Sequence, residues 1–313
     1  MIETIKKVPI PMAGVMLGFA SLGNLLQSYS EGLRNICGII SGALLILIIL
    51  KIVMFKDMIK EDMKNPILAS ISGTLSMGII LLSTYLKPYL GNGSLYIWYF
   101  GILLHISIIL YFTKAFILKF DLKKVFASYF IVYVGIVVAS ITAPVFGKQS
   151  LGEIIFWFGF ISFIVLFFIT TKRYMTLKEI PEPAKPLFCI FAAPLSLCLA
   201  GYMQSVENKS PIFIYLMLAF ATILYLNVLF NLIGFLKLKF YPSYAAFTFP
   251  FIISAIAAKQ SLVFSTKNSI QVFGLKEIVL IETAIATALS FYVLFKFILF
   301  LMPKKEENVT VEA

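Results

Sequence analysis

The sequence predicts an all-α polytopic membrane protein. Hydrophobic residues make up 60% of its 313 residues, charged residues make up only 13%, and the mean hydropathy is +0.97. A soluble chain carries about a quarter charged residues. The apolar residues form long runs, and an α-helix needs roughly 20 such residues to cross a hydrocarbon core. We therefore predict a single membrane domain over residues 1–313.

Ten apolar runs reach the length of a transmembrane helix. The predicted spans are 10–29, 35–55, 66–86, 94–118, 125–146, 151–171, 186–204, 211–236, 242–262 and 276–301. The segments between them are too short to form a soluble domain. The first run has no small-residue cleavage site, so we do not expect a cleaved signal peptide. Residues 303–313 are expected to form a short cytoplasmic tail.

The positive charges predict how the chain is oriented. The net charge of +11 comes from Lys and Arg in the loops between apolar runs, a placement typical of topology signals and not of a nucleic-acid-binding surface. Nineteen of these residues fall on the side that holds both termini, and seven fall on the other side. The positive-inside rule then predicts a multi-pass protein of the inner (plasma) membrane with both termini in the cytoplasm.

Small residues alternate along the ten spans. The odd-numbered spans contain 44 Gly, Ala, Ser, Thr and Pro residues, whereas the even-numbered spans contain 25. Small residues let helices approach closely or leave space beside them, while Leu, Ile and Phe fill space and face lipid. One interpretation is only that the odd helices are more buried. The more specific one is five helical hairpins, with an inner ring of five odd-numbered helices around a central pore.

Ionisable residues are scarce in the odd spans. Lys259, near the outer end of the ninth span, is the exception. The even spans contain Glu153, His105 and Glu282. His105 is best explained as a packing residue rather than a proton relay. Glu282 is the better candidate for a functional role, although a hydrogen bond between helices explains it equally well. Transporters that couple to protons usually keep ionisable residues inside the membrane. An uncharged pore would bind ions weakly and let them pass quickly. Prolines near the starts of four odd spans predict that helix N-termini surround the cytoplasmic mouth of the pore. The partial positive charges of these N-termini would favour anions.

The ninth span carries one bulky ring in a setting of small residues. It begins YPSYAAFTFPF, with Phe249 directly before Pro250. Pro250 has no N–H and clashes with the carbonyl of Ala246, so we expect the helix to bend there. The bend would let Phe249 project across the axis as a hydrophobic gate. Because the chain has 31 phenylalanines, the alternative is an ordinary packing role.

Three segments resemble the tellurite-resistance/C4-dicarboxylate transporter family, which includes bacterial TehA proteins and the plant guard-cell slow anion channels. They are VPIPMAGVMLG in the first span, ASYFIVYVGIVVAS in the fifth and YAAFTFPF in the ninth. The fifth segment departs from the family at Ala127, where proline is expected. Together with the number and pattern of spans, the resemblance covers essentially the whole chain.

The resemblance implies a homotrimer of ten-helix protomers with one pore in each subunit. It also implies that Phe249 closes the pore and that Gly14 of the first helix lines it. We expect Pro250 and Ala246 to line the pore or support the gate. The expected ligands are small inorganic or organic anions, and no cofactor or metal is expected.

The predicted function is an anion channel. The alternative is a secondary carrier of C4-dicarboxylates such as malate, or an exporter of oxyanions such as sulfite or tellurite. A carrier usually has broken helices in matching positions of two inverted halves, whereas this pattern repeats five times in parallel. An intramembrane enzyme is not expected, because the spans lack paired carboxylates, metal-binding spacing and a nucleophile beside a base. A nucleic-acid partner is not expected either.

Overall fold

A computed structural model describes residues 2–177 and 179–302 of the chain. The predicted tail at 303–313 lies outside the described residues. Ten apolar helical segments are labelled in chain order: α1 Met12–Leu26, α2 Glu31–Met54, α3 Pro66–Leu90, α4 Gly93–Ile117, α5 Val137–Phe146, α6 Gln149–Thr176, α7 Glu182–Ser205, α8 Pro211–Phe235, α9 Pro242–Lys267 and α10 Leu275–Leu301. A short helix at Ile2–Lys7 precedes α1, another at Lys56–Asp62 lies between α2 and α3, and a third at Tyr129–Tyr133 lies between α4 and α5.

Eight of these segments, within the described residues, are long and apolar enough to cross a membrane. The two shorter segments are α1 and α5. The prediction of an all-helical, polytopic membrane protein is therefore confirmed, while a count of ten crossings stays a prediction.

The fifth predicted span is not one continuous helix. The short helix Tyr129–Tyr133 is separated from α5 by a widened turn in which the Gly135 N–H donates to the Phe130 carbonyl at 3.2 Å. A Cβ atom at position 135 would lie 2.1 Å from the Ile131 carbonyl oxygen, so only glycine fits this turn. Apolar periodicity carries no sign of such a break.

Several helices begin where local sequence signals predict a start. The Asn65 side chain accepts hydrogen bonds from the Ile67 and Leu68 N–H groups at the start of α3, and Pro66 follows as the first residue of the helix. Ser210 and Pro211 form the same arrangement at the start of α8. Such caps satisfy N–H groups that have no partner inside the helix, and proline loses nothing at that position.

Burial divides the helices into two classes. About 28–33% of the most apolar stretch is buried in α2, α4, α6, α8 and α10, compared with 72% in α3, 89% in α7 and 67% in α9. In α1, thirteen of the fifteen residues are buried. The helices rich in small residues are thus surrounded by protein, and the helices rich in Leu, Ile and Phe present most of their surface outward.

The buried helices contact one another in a closed order. Helix α1 packs against α3, α3 against α5, α5 against α7, α7 against α9, and α9 returns to α1. Each of them also packs against the helix that follows it in the chain: α2, α4, α6, α8 or α10.

The buried segments change helical pitch part of the way along. The 3₁₀ stretch Glu182–Ala192 passes into α-helix at Ala193 in α7, and the 3₁₀ stretch Pro242–Phe247 passes into α-helix at Phe249 in α9. Helix α3 is interrupted at Ser72, and 3₁₀-type bonds precede α1. The bend predicted at Pro250 was therefore misplaced. The break lies at Thr248, and Pro250 sits in the first turn of the new helix, where its missing N–H removes no bond.

Candidate functional site

A small cavity lies among the buried segments, next to the positions where their helices change pitch or are interrupted. Its volume is about 50 Å³, and its wall is formed by α1, α3, the segment 130–135, α7 and α9. In the part of the chain that the structure describes, no charged residue lines it. The cavity is therefore an apolar chamber enclosed by the five segments rich in small residues.

All four residues singled out from the sequence line this one cavity. Phe249 is the first residue of the α-helical part of α9 and is 7% exposed. Ala246 and Pro250 flank it on the same segment, and Gly14 belongs to α1 on the neighbouring wall. The structure brings these residues together, although their roles stay predictions.

Two glycines of α1 allow the turn before Phe249 to approach closely. A Cβ atom at position 14 would lie 3.1 Å from the Ala245 Cβ atom, and one at position 18 would lie 2.7 Å from the Thr248 side chain. The Thr248 hydroxyl donates to the Gly14 carbonyl at 3.1 Å, as well as to the Ala245 carbonyl at 2.8 Å. Gly14 thus supports the packing of this turn in addition to lining the cavity. Gly18, which the sequence analysis did not single out, has the tighter contact.

Ser243 is a polar group that the sequence analysis missed. It lines the cavity, is 8% exposed, and its hydroxyl makes no hydrogen bond within the described residues. By contrast, the Thr74 hydroxyl in the same wall donates to the Ile71 carbonyl at 2.7 Å. A serine in a run of small residues gives no sequence signal for such a position. Its uncommitted hydroxyl is free to donate a hydrogen bond into the cavity.

Several α-helices begin beside the cavity. Their first turns include Gly14, Thr74, Pro194 and Phe249, all of which line it. The N-terminal end of a helix carries a partial positive charge, which favours an anion by about 0.3–1 kcal/mol at an exposed site. The α-helices that begin at the breaks add to the one that begins at Pro66, as predicted. That helix N-termini surround the cytoplasmic mouth stays a prediction.

A second, larger cavity of about 740 Å³ lies at the opposite ends of α1, α7 and α9. Its wall combines five amide or hydroxyl side chains, five apolar side chains and the three lysines Lys209, Lys259 and Lys267, and no acidic residue of the described chain lines it. The Lys259 ammonium group donates to the Leu25 carbonyl at 2.7 Å and lies over the Tyr29 ring. Lysines at helix C-termini offset the partial negative charge found there. We refer to this cavity as the basic vestibule.

Both ring nitrogens of His105 have polar partners in the protein. Its Nε2–H donates to the Val132 carbonyl at 3.0 Å, and its Nδ1 lies 2.7 Å from the Ser76 hydroxyl, which shares its proton between this nitrogen and the Gly73 carbonyl at 2.9 Å. The ring links α4 to α3 and to the segment before α5, so the packing interpretation is the better one. Glu153 lies half-buried in a different surface groove.

We expect His105→Leu to lower the free energy of unfolding by about 1–3 kcal/mol, because it leaves the buried Val132 carbonyl without its donor. Thermal unfolding in detergent would measure the loss, with Ser107→Ala on an exposed face of the same helix as the control. Unchanged stability would contradict the packing role.

The fold and the enclosed apolar chamber define a polytopic helical membrane protein with the architecture of a channel or transporter. The family model described as "Voltage-dependent anion channel", SLAC1, matches residues 7–301, which is nearly the whole chain. The chain belongs to this family, and the predicted relation to TehA-like proteins and slow anion channels is confirmed. Members are channels or transporters of anions and not enzymes. No curated protein matches the chain.

Proposed function

We propose that the chain is an anion channel whose pore runs through the apolar chamber. In this arrangement all ten helical segments cross the membrane as five hairpins, with α1, α3, α5, α7 and α9 inside and the even-numbered helices outside. The support is the closed order of contacts among the five buried segments, together with the packing of each on the following helix. The shorter α1 and α5 are extended by the turns that precede them.

The observation that carries this proposal is an uncharged chamber formed by α1, α3, α7, α9 and the segment 130–135 that precedes α5. Any ion that follows the axis of the bundle must pass it. The ring of Phe249 in its wall would exclude water and ions from so narrow a space, as hydrophobic constrictions do in channels. The helix starts around the chamber and the Ser243 hydroxyl would favour anions over cations once the ring moves aside.

Phe249 acts as the gate in this proposal, and its neighbours hold it in place. Ala246 leaves space beside the ring, and Pro250 sets the first turn of the helix that carries it. The Gly14 carbonyl accepts a hydrogen bond from the Thr248 hydroxyl. The Thr248 hydrogen bond holds the turn before the ring against α1, so opening requires the ring to rotate or this turn to shift.

We further propose a homotrimer in the plasma membrane with both termini in the cytoplasm. The support for this orientation is the excess of Lys and Arg on one side of the membrane. The support for the trimer is the family relation.

Anion currents in planar bilayers would test the proposal. We expect chloride and nitrate currents that reverse near the Nernst potential of the anion and persist without a proton gradient. Flux of malate, sulfite or tellurite that stops when the proton gradient is dissipated would favour the carrier instead. Currents that reverse near the cation potential would refute both.

The basic vestibule should raise the local concentration of anions at its mouth. We expect Lys209→Gln to reduce the single-channel anion current about twofold at low salt, with the difference disappearing at high salt, since screening removes long-range attraction. Lys209 is preferred to Lys259, whose ammonium group also holds α1. A reduction that is the same at every salt concentration would point to local packing, and Lys56→Gln, far from this vestibule in the chain, is the control.

A further inference from the structure

The acidic side chain of Glu282 in α10 is buried without a complete set of hydrogen-bond partners. Glu282 is only 5% exposed, and its Oε2 atom makes no hydrogen bond within the described residues. Among the described residues, this oxygen does not make the hydrogen bond between helices that was one explanation of Glu282. An ionised carboxylate in a membrane interior is costly unless a positive charge compensates it. Glu282 therefore needs either a proton or a compensating cation.

A second buried oxygen without a partner lines the same small cavity. The Tyr225 residue of α8 is 3% exposed, and its hydroxyl also makes no hydrogen bond within the described part of the chain. The cavity lies among α7, α8, α9 and α10 and has a volume of about 10 Å³. This volume holds roughly one particle the size of a water molecule.

Three further hydroxyls in the cavity wall have already committed their protons. Thr222 donates to the Leu218 carbonyl at 2.9 Å, and Ser196 donates to the Ala192 carbonyl at 2.9 Å. The single Ser254 proton is shared between the carbonyls of Ala192 and Pro250, which lie 3.1 and 3.0 Å from its oxygen. Because a hydroxyl has one proton and two lone pairs, these groups can offer only lone pairs to the cavity.

We propose that this cavity binds one small alkali cation of about the size of sodium. The cation neutralises Glu282 and takes oxygen ligands from Tyr225, Ser254 and their neighbours. Oxygen atoms are the ligands that hard cations prefer. A divalent cation would leave a net charge inside the membrane, since Glu282 is the only charged residue lining the cavity among those described.

The sequence predicted no metal site because the ligands come from four helices with no characteristic spacing. A bound cation would join those four helices and so stabilise their packing. Ser254 also donates to the Pro250 carbonyl, which connects the cavity wall to the turn that follows Phe249. The binding site itself does not depend on the proposed channel function, because its test measures stability and not current.

Thermal unfolding of the purified full chain would test the site. Sodium chloride would be exchanged for N-methylglucamine chloride at constant chloride and mildly alkaline pH, so that neither the anion nor the proton varies. We expect the melting temperature to rise saturably with sodium, by roughly 5 °C at about 100 times the dissociation constant. A melting temperature that is the same in both cations would overturn the proposal.

Two variants identify the ligands. Glu282→Gln keeps the size of the side chain and should abolish the sodium dependence, while Tyr225→Phe should weaken sodium affinity. Glu277→Gln, on an exposed position of the same helix, should leave the dependence unchanged. If Glu282→Gln does not fold, Tyr225→Phe still tests the site. A melting temperature that still depends on sodium in both variants would overturn the proposal. A melting temperature that depends on pH but not on sodium would also overturn it, because the cavity would then contain a neutral carboxyl group and a water molecule.

Discussion

Phe249→Ala should convert a silent or weakly conducting protein into a strongly conducting one. We expect the anion current to rise at least about tenfold, which corresponds to a barrier lowered by about 1.4 kcal/mol. The physical reason is that the ring occupies the wall of a chamber of only about 50 Å³, and its removal leaves space for water and anions. Voltage-clamped bilayers with chloride and nitrate as charge carriers would measure the change.

Loss of a buried ring also costs about 3–5 kcal/mol of stability, so a packing defect has to be separated from an open gate. Phe251→Ala is the matched control. Phe251 is fully buried two residues further along α9, where its ring contacts Tyr225 outside the chamber lining. We expect Phe251→Ala to lose stability without gaining current. If Phe249→Ala folds normally and stays silent, the ring is a packing residue and the carrier becomes the better proposal.

Gly18→Ala should destabilise the protein although alanine favours a helix. A Cβ atom at this position would lie 2.7 Å from both the Cβ and Oγ1 atoms of Thr248, so the turn before Phe249 must shift. Such overpacking costs about 1–3 kcal/mol, while alanine regains about 0.5–1 kcal/mol over glycine in a helix interior. The overpacking is the larger of the two effects, and we expect a net loss of stability together with altered gating.

Two other glycines supply controls for this prediction. A Cβ atom at Gly42 in α2 meets nothing within 4 Å, so Gly42→Ala should leave stability unchanged or raise it. Gly14→Ala should fall between the two, because its closest contact is the Ala245 Cβ atom at 3.1 Å. We expect the melting temperature to be highest for Gly42→Ala, intermediate for Gly14→Ala and lowest for Gly18→Ala. A different order would show that the turn before Phe249 is free to move.

The candidate site could be predicted from the sequence only in part. Phe249, Pro250, Ala246 and Gly14 were found from a proline beside a bulky ring, from small neighbours and from family segments, and all four line one cavity. Gly18 and Ser243 were not found. Gly18 matters because it contacts Thr248, and Ser243 matters because its hydroxyl has no hydrogen-bond partner among the described residues of the cavity wall. Both properties depend on neighbours that are known only from the tertiary structure.

The helix breaks were the main feature of the fold that sequence patterns did not reveal. A widened turn at Gly135 and a break at Thr248 interrupt runs that remain apolar throughout. Hydropathy depends on the side chains along a run, whereas pitch depends on backbone hydrogen bonds and on what packs against them. The proline at 250 indicated that a break was near but not at which residue it falls.

The sequence by itself determined that this is an all-helical membrane protein with two classes of helix, and its short segments identified the family. Composition and run length suffice for this because transfer into lipid acts on each segment separately. The tertiary structure decided where the chamber lies, which glycines permit close packing, and that Glu282 and Tyr225 share one cavity. These features depend on distances between residues far apart in the chain, which are set only when the helices pack.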